Sequence, residues 1–401
     1  MESYFFDWLQ LIFRWLHVIT GIAWIGASFY FVWLDNSLEE PPQWKKDKGI
    51  KGDLWSIHGG GIYEVAKYEL APEKMPETLH WFKWEAYTTW LTGMVLLIVI
   101  FYLGADSYLI DKRVADLTQL QAVGLGMGFL ISGWVIYEVL CNTPLAKNGF
   151  AIAGVLISIA VIYAYALTHL FSGRGAYIHM GAVIGTIMVG NVFRVIMPSQ
   201  RALVAAIEKG EAPDPAWGIK AKLHSTHNNY LTLPLLFIMI SNHYPMTYSH
   251  EYSWLVLLAI IAITAFARHY FNLQHKGINR PIILVVSAIA AATLAFVISP
   301  KPSNIAASND SVFVASQIAQ VKTILTERCA SCHSARPSDE VFTAAPLGMM
   351  LDTLDEMQRW ASRIKARSVD TADMPFMNKT EMTDEERGII GAWVAAGAPT
   401  K

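Results

Sequence analysis

The stretch Cys329-Ala330-Ser331-Cys332-His333 is the part of the chain whose residue types and spacing specify a chemistry on their own. Two thiols set three positions apart can bond both vinyl groups along one edge of a porphyrin, and the adjoining imidazole then reaches the iron. Cys-x-x-Cys-His is the attachment signature of c-type haem. A zinc knuckle would need further Cys or His ligands nearby, and a thioredoxin-like redox pair would need a βαβ setting. The sequence offers neither. The remaining cysteine, Cys141, lies in an apolar run and reads as a small packing residue, so no disulfide framework is built. One covalent haem c is the cofactor expected, with His333 as its proximal iron ligand.

A second set of chemistry-bearing residues sits inside apolar runs, where ionisable groups are costly and default to functional candidates. His17, His169, His179, His243 and His250 fall toward one end of these runs. Toward the other lie Glu85, Glu138, Asn191, Arg194, His224, His227, Asn228, Asn229, Arg268, His269 and Asn272, with the aromatics Tyr230 and Tyr270. Arg for charge, amides for the edges and a ring for stacking suit a planar, anionic, hydrogen-bonding substrate. His227, Asn229, Arg268 and His269 are the catalytic candidates. Each also has an ordinary reading: an Arg or His near a helix end can snorkel to headgroups, and an interior His can bond a neighbouring helix.

The elements that must position these residues are mostly membrane helices. The 401 residues are 53% hydrophobic and only 16% charged, against about 25% charged in ordinary soluble domains. Apolar runs near the ~20 residues that cross a bilayer fall at about 8–33, 86–103, 121–141, 150–170, 177–197, 229–244, 253–271 and 281–299. They predict an all-α bundle of about eight spans in a lipid bilayer, the sixth weakened by Pro234 and Asn242. The N-terminal stretch reads as a first span, since Glu2 and Asp7 stand where a signal peptide carries cations. Spans one and five share a His followed by small residues, which suggests a 4+4 parallel repeat. Gly181 and Gly185, and Gly124, Gly126 and Gly128, read as helix-packing surfaces. The loop 35–80 contains His58 followed by three glycines, either an anion-approaching backbone or a flexible turn.

Residues 300–311 read as a polar linker and 312–401 as a small class I-like cytochrome c domain. Val314, Ile318, Val321 and Leu325 form one face of a helix entering the motif. Thr383 and Glu386 form a capping box at the start of a last helix that ends at Gly397. A Met sixth ligand raises the potential of a His-ligated haem. Met374, beside Pro375 in the loop before the last helix, is the expected one; Met349, Met350, Met377 and Met382 are rivals. Pro346 is placed to offer its carbonyl to the proximal His.

Topology follows from charge. Haem c attachment is a reaction of the outer face of a bacterial membrane, so eight spans put both the N-terminus and the C-terminal domain in the periplasm. The positive-inside rule agrees: loops assigned inside carry many cations, among them Lys45, Lys46, Lys48, Lys51, Arg201, Lys220 and Arg280, whereas those outside carry Arg14, Lys112, Arg113, Arg174 and Lys301. The net charge of -2 argues against a nucleic-acid partner.

The blocks HGGGIYEVAKYELAPEKMPETLHWFKWEAYTTWLTG (58–93) and HSTHNNYLTLPLLFIMISNHYP (224–245) resemble the membrane-bound, cytochrome-c-fused urate oxidase family of bacteria, the urate hydroxylases. The order of spans, linker and haem c domain is similar too, so the resemblance covers essentially the whole chain. It implies oxidation of urate to 5-hydroxyisourate, with water supplying the hydroxyl. Two electrons would leave through the fused cytochrome toward a downstream cytochrome or terminal oxidase of the inner membrane. Other readings of the same architecture are oxidation of another small molecule or quinol, and a non-catalytic electron conduit.

A substrate at the inner set would lie most of a ~30 Å hydrocarbon core from a periplasmic haem, too far for one direct transfer. Either the substrate binds nearer the outside or another redox centre intervenes. LHVITGIAWIG in span one resembles the first span of small membrane haem b proteins, which implies a b-type haem held by His17, with His179 or another spanning His opposite.

Overall fold

The computed structural model describes residues 2–274, 277–299, 315–342 and 344–401. Each expected apolar run is a helix, because inside hydrocarbon every backbone N–H and C=O must be satisfied within its own segment. The helices are α1 (Glu2–Ser37), α2 (Trp84–Tyr102), α3 (Gln119–Cys141), α4 (Gly149–Thr168) and α5 (Gly173–Glu208). There follow α6 (Pro215–Ser241), α7 (Ser253–Gln274) and α8 (Ile282–Val297). Short polar side chains start several of them: Asn148 accepts from the N–H groups of Phe150 and Ala151, and Ser172 from that of Gly175.

Six of these, α1 to α5 and α7, are long and apolar enough to cross a membrane, so the chain is a membrane protein. The other two expected spans fall short of that standard for different reasons. Helix α6 begins fourteen residues before the apolar run that announced it, and Lys220, Lys222, His224, His227, Asn228 and Asn229 make its first half polar. Helix α8 has 16 residues, a rise of only ~24 Å.

Helix α5 is the centre of the bundle, packing against α2, α3, α4 and α6. Helix α1 packs chiefly on α2 and turns Leu11, Trp15 and Ile22 outward. Spans one and five, expected as equivalents, thus occupy unlike places. Of the glycines expected to pack, Gly126 and Gly181 permit close approaches, whereas an added Cβ on Gly124, Gly128 or Gly185 would meet nothing within 4 Å. A Cβ on Gly126 would lie 2.7 Å from His179 Nε2, and one on Gly181 would lie 2.8 Å from Ile238 Cγ2. Tighter still is Gly173, whose added Cβ would meet the backbone carbonyl oxygen of Tyr248 at 2.3 Å. Backbone cannot swing aside as a side chain can, so Gly173→Ala should destabilise the bundle by about 1–3 kcal/mol, read as a lower midpoint of thermal unfolding in detergent; an unchanged midpoint would contradict this packing.

Within α5 the segment Asn191–Ile196 is π-helical. Pro198 follows closely; having no N–H, it leaves the carbonyl of Arg194 without its ordinary donor, and the ladder shifts register there. Such π-bulges recur at functional sites.

The loop 35–80 departs from the all-α expectation. It folds into a two-stranded antiparallel hairpin, β1 (Ile50–His58) and β2 (Gly61–Tyr68). Gly59 and Gly60 have φ of 58° and 81°, both positive as a type I′ hairpin turn demands. The triple glycine after His58 therefore makes a turn rather than an anion cradle. Lys45 is buried against Asp53 and Glu64, tying the short helix before β1 to both strands.

The C-terminal domain is built from α9 (Ala315–Arg328), α10 (Leu354–Arg359) and α11 (Asp384–Ala395). Its core contains Val321, Leu325, Leu351, Met357, Ile390 and Trp393. The expected capping box is present, Thr383 Oγ1 accepting from the Glu386 N–H and the Glu386 carboxylate from the Thr383 N–H. At the other end Gly397 adopts φ 87°, and the bonds Ala398 N–H to Trp393 O and Gly397 N–H to Val394 O form a Schellman closure. Val314 and the linker 300–311 lie outside the described residues.

The two parts meet through Phe376, which packs on Tyr108 and Arg174. Arg14 of α1 lies within electrostatic reach of the same Tyr108 and Arg174. The leading end of α1 and the C-terminal domain therefore share one side of the bundle, which requires an even number of crossings.

Candidate active site

At the end of the bundle away from the C-terminal domain, α1, α6, α7 and the turn after α7 line a half-open pocket of about 700 Å³. Its lining mixes the rings of Phe29, Trp33 and Phe271 with Asn36, Gln274, Asn279 and Arg268. Arg268 is only 2% exposed. Its Nε–H donates to the Asn229 carbonyl at 3.2 Å and its Nη2 to Asn229 Oδ1 at 3.3 Å. The guanidinium lies 4.6 Å from the centre of the Phe29 ring. A guanidinium carries five N–H donors in a fixed fork; Asn229 uses two and so aims the rest. Ser28 donates to the same Asn229 Oδ1 at 3.3 Å, which fixes the amide's orientation.

Of the four catalytic candidates, the structure brings together Arg268 and Asn229 and leaves the other two apart. The reason is angular. Successive helical residues are separated by about 100°, so His227 and Asn229, two apart on α6, point to opposite faces. His227 faces α3 and α5, where its Nδ1 meets Tyr137 Oη at 2.7 Å. Asn191 Nδ2, at the first position of the π-helical turn, donates to Tyr137 Oη at 3.1 Å and to Asn228 Oδ1 at 2.8 Å. Tyr137 Oη thus accepts from Asn191 and shares a second hydrogen bond with His227 Nδ1. His224 joins this buried group, its Nδ1–H on the Lys220 carbonyl at 2.9 Å, so Nε2 is a buried acceptor with no donor among the described residues. His269 is elsewhere again, its Nδ1 2.6 Å from Tyr230 Oη. Tyr137 is the participant that sequence reasoning missed. Tyr137 stands about one turn before the end of its helix, where an interfacial tyrosine is ordinary, so the sequence carried no distinct signal for it.

In the C-terminal domain, the His333 N–H at Nδ1 donates to the Met349 carbonyl at 3.0 Å. This corrects the expectation for Pro346: the orienting carbonyl lies three residues further on, where the chain leaves the short turn Pro346–Gly348. A carbonyl can only accept, so Nδ1 bears the proton and Nε2 keeps a lone pair for a metal. Leu351 N–H to His333 O, 2.8 Å, pins the backbone beneath it. Burial also pushes His333 below its ordinary pKa, favouring the neutral imidazole that ligation needs. Cys329 and Cys332 form no disulfide. Burial pushes Cys329 up to about 12, with Cys332 adding to the effect, and raises Cys332 as well. Reactive dithiols show the reverse shift.

Residues 3–299 match the protein family described as urate oxidase N-terminal. The chain belongs to the urate oxidase N-terminal family. No curated protein and no solved structure matches it. The family region takes in α1 to α8 with the β-hairpin and stops before the linker; it makes the membrane domain that of an oxidoreductase related to urate oxidation. The C-terminal domain lies beyond the match, and its chemistry rests on its own residues. Among the described residues no cluster of three or more His, Cys, Asp or Glu forms a metal site.

Met374 sits on a loop clamped from within the domain. The guanidinium of Arg387, 7% exposed, donates to the carbonyls of Ser368 and Met374, the latter at 2.7 Å, and to Asn378 Oδ1 at 3.1 Å. Opposite-sign pairs brace the same domain. Lys379 Nζ reaches Asp339 at 2.8 Å, and Arg328 reaches Glu386 at 3.0 Å. Burial alone would raise these two carboxyls. The bonds from Lys379 and the N–H groups of Val341 and Phe342, and those from Arg328 and Thr383, instead hold both below their ordinary 3.8 and 4.5. A carboxyl with a depressed folded pKa contributes stability that is complete above its unfolded pKa and is lost as pH falls through the folded one. The C-terminal domain should therefore weaken as pH drops below about 4, and Lys379→Ala should flatten that dependence in acid melts followed by circular dichroism; an equally steep curve would remove the pair from the account.

His17 meets one requirement of a membrane haem ligand. Its Nδ1–H donates to the Thr89 carbonyl at 2.9 Å, leaving Nε2 its lone pair. His179, the expected opposite ligand, meets it as well: its Nδ1–H is on Gly175 O at 2.8 Å, and its buried Nε2 has no partner among the described residues.

Proposed function

We propose that this chain oxidises urate to 5-hydroxyisourate in its membrane domain and passes the electrons, by way of a second redox centre between the two sites (a b-type haem that His17 would hold), to a haem c carried by its C-terminal domain. The family match over residues 3–299 carries the reading. Urate takes up one water and gives up two protons and two electrons, so a one-electron acceptor must turn over twice per substrate. The Arg268 cavity suits the urate anion: unspent guanidinium N–H groups for charge, Asn36, Gln274 and Asn279 for the edge, and Phe29 and Phe271 for the ring faces. Asn229 keeps the guanidinium fixed before substrate arrives, which lowers the ordering cost of binding.

Cys329 and Cys332 would hold the haem through thioethers, with His333 Nε2 and Met374 as iron ligands. When bound, it supplies one-electron redox chemistry at a potential raised by Met/His ligation. The proposed topology has eight crossings, with the N-terminus and the C-terminal domain in the periplasm of a bacterial inner membrane. The shared side of these two ends and the cation bias of the opposite loops support it. Electrons then leave for a downstream cytochrome or terminal oxidase.

The test is direct. Urate added to anaerobic membranes containing the protein should bring up the visible absorption band of reduced haem c, without dioxygen and with 5-hydroxyisourate as product. Membranes whose covalent haem reduces with dithionite but never with urate would defeat the proposal.

A further inference from the structure

The contact between the membrane domain and the C-terminal domain is aromatic. The Phe376 ring lies 5.6 Å from that of Tyr108, and the Arg174 guanidinium sits 5.2 Å from its centre. Tyr108 is 6.3 Å from Phe101, and Phe101 is 6.3 Å from the fully buried imidazole of His179. Phe376 is no part of the C-terminal domain's buried core; within that domain its ring meets Phe342 edge-on at 6.3 Å, and it otherwise packs across the junction. It stands two residues after Met374, and the Arg387 guanidinium holds the Met374 carbonyl at 2.7 Å, so both residues move as one short loop. Cation–π contact with Arg174 favours that ring's position.

We propose that Phe376, seated on Tyr108 and Arg174, is the port through which electrons pass from the membrane domain to the iron beside Met374, with Phe101 and Tyr108 as the packed path behind it. The inference rests on the proposed function. Electrons cross singly, each converting ferric to ferrous haem, and the continuous van der Waals contact of closely packed rings carries tunnelling better than a gap or a water layer. No ring need be oxidised. The arrangement leaves the far side of the C-terminal domain for the outgoing partner.

The test uses the full chain in membranes, with stopped-flow reduction by urate set beside reduction by dithionite. Phe376→Leu and Tyr108→Leu should lose the fast phase of urate-driven haem reduction while dithionite still reduces the full haem complement. Phe376→Tyr and Tyr108→Phe, which keep the rings, should recover it. A fast phase that survives both leucine variants overturns the port. Docking is read without any redox step by placing a benzophenone side chain at position 376, irradiating, and cleaving the linker: attachment to the segment 101–113 or to Arg174 supports the port, and attachment elsewhere or none overturns it. If urate fails to reduce even the wild-type haem, the proposed function falls, and the cross-link still decides the docking.

Discussion

Arg268→Ala should abolish urate-driven reduction of the haem while leaving its attachment and its reduction by dithionite intact. The argument is one of buried charge. Arg268 is nearly inaccessible, and its fork is oriented by Asn229 and flanked by Phe29. Removing one partner of a buried, hydrogen-bonded charge pair costs roughly 2–5 kcal/mol, which is about thirtyfold or more in affinity. Arg268→Lys should fall between, since an ammonium keeps the charge but loses the bidentate fork. Asn229→Ala should act in the same direction and less strongly, because it frees the guanidinium without removing it. Normal urate turnover by Arg268→Ala would place the substrate elsewhere, and the buried group of Tyr137, His224 and His227 would become the site to examine.

That division of the polar residues was half legible in the sequence. Composition announces an Arg, His and Asn population at membrane depth, but depth alone groups four candidates from two helices without regard to the face each one takes. The α-helical period alone separates His227 from Asn229. It also assembles His224, His227 and Asn228 on one face, as positions three and four apart must be. What no period could reveal is which neighbour each face would meet. Tyr137 and Asn191 belong to other helices, and their convergence on His227 depends on packing around α5 and on the π-turn ahead of Pro198.

The fold was legible where local rules decide it. Thr383 with Glu386 and Gly397 bound the last helix as their types require, and apolar runs became helices because lipid leaves no alternative. The hairpin in the 35–80 loop was missed although Gly59-Gly60 is a strong two-residue turn signal. Its strands carry little alternation: Trp55, Ile57, Ile62 and Tyr63 are all exposed. Polarity hid the length of α6, since a helix whose first half contacts polar neighbours need not be apolar.

Met374→Ala should leave the haem attached and lower its reduction potential, and Arg387→Ala should shift it the same way by less. Attachment depends on the thiols of Cys329 and Cys332, which neither change touches. Potential depends on the sixth ligand, and the loss of thioether ligation removes the term that stabilises ferrous iron. Among the rival methionines, Met349 is already committed on the proximal side, where its carbonyl takes the His333 proton. Met382 is 3% exposed in the domain's own core. Arg387 acts only through the loop: without it the carbonyls of Ser368 and Met374 lose a buried donor, at about 1–3 kcal/mol for each group left unsatisfied. Its variant should therefore show both a lowered thermal midpoint and a lowered potential in a redox titration, whereas Met374→Ala should move the potential further with a smaller loss of stability. An unchanged potential in Met374→Ala would pass the ligand role to Met377, three residues along the same clamped loop, and with it the proximity of the iron to Phe376.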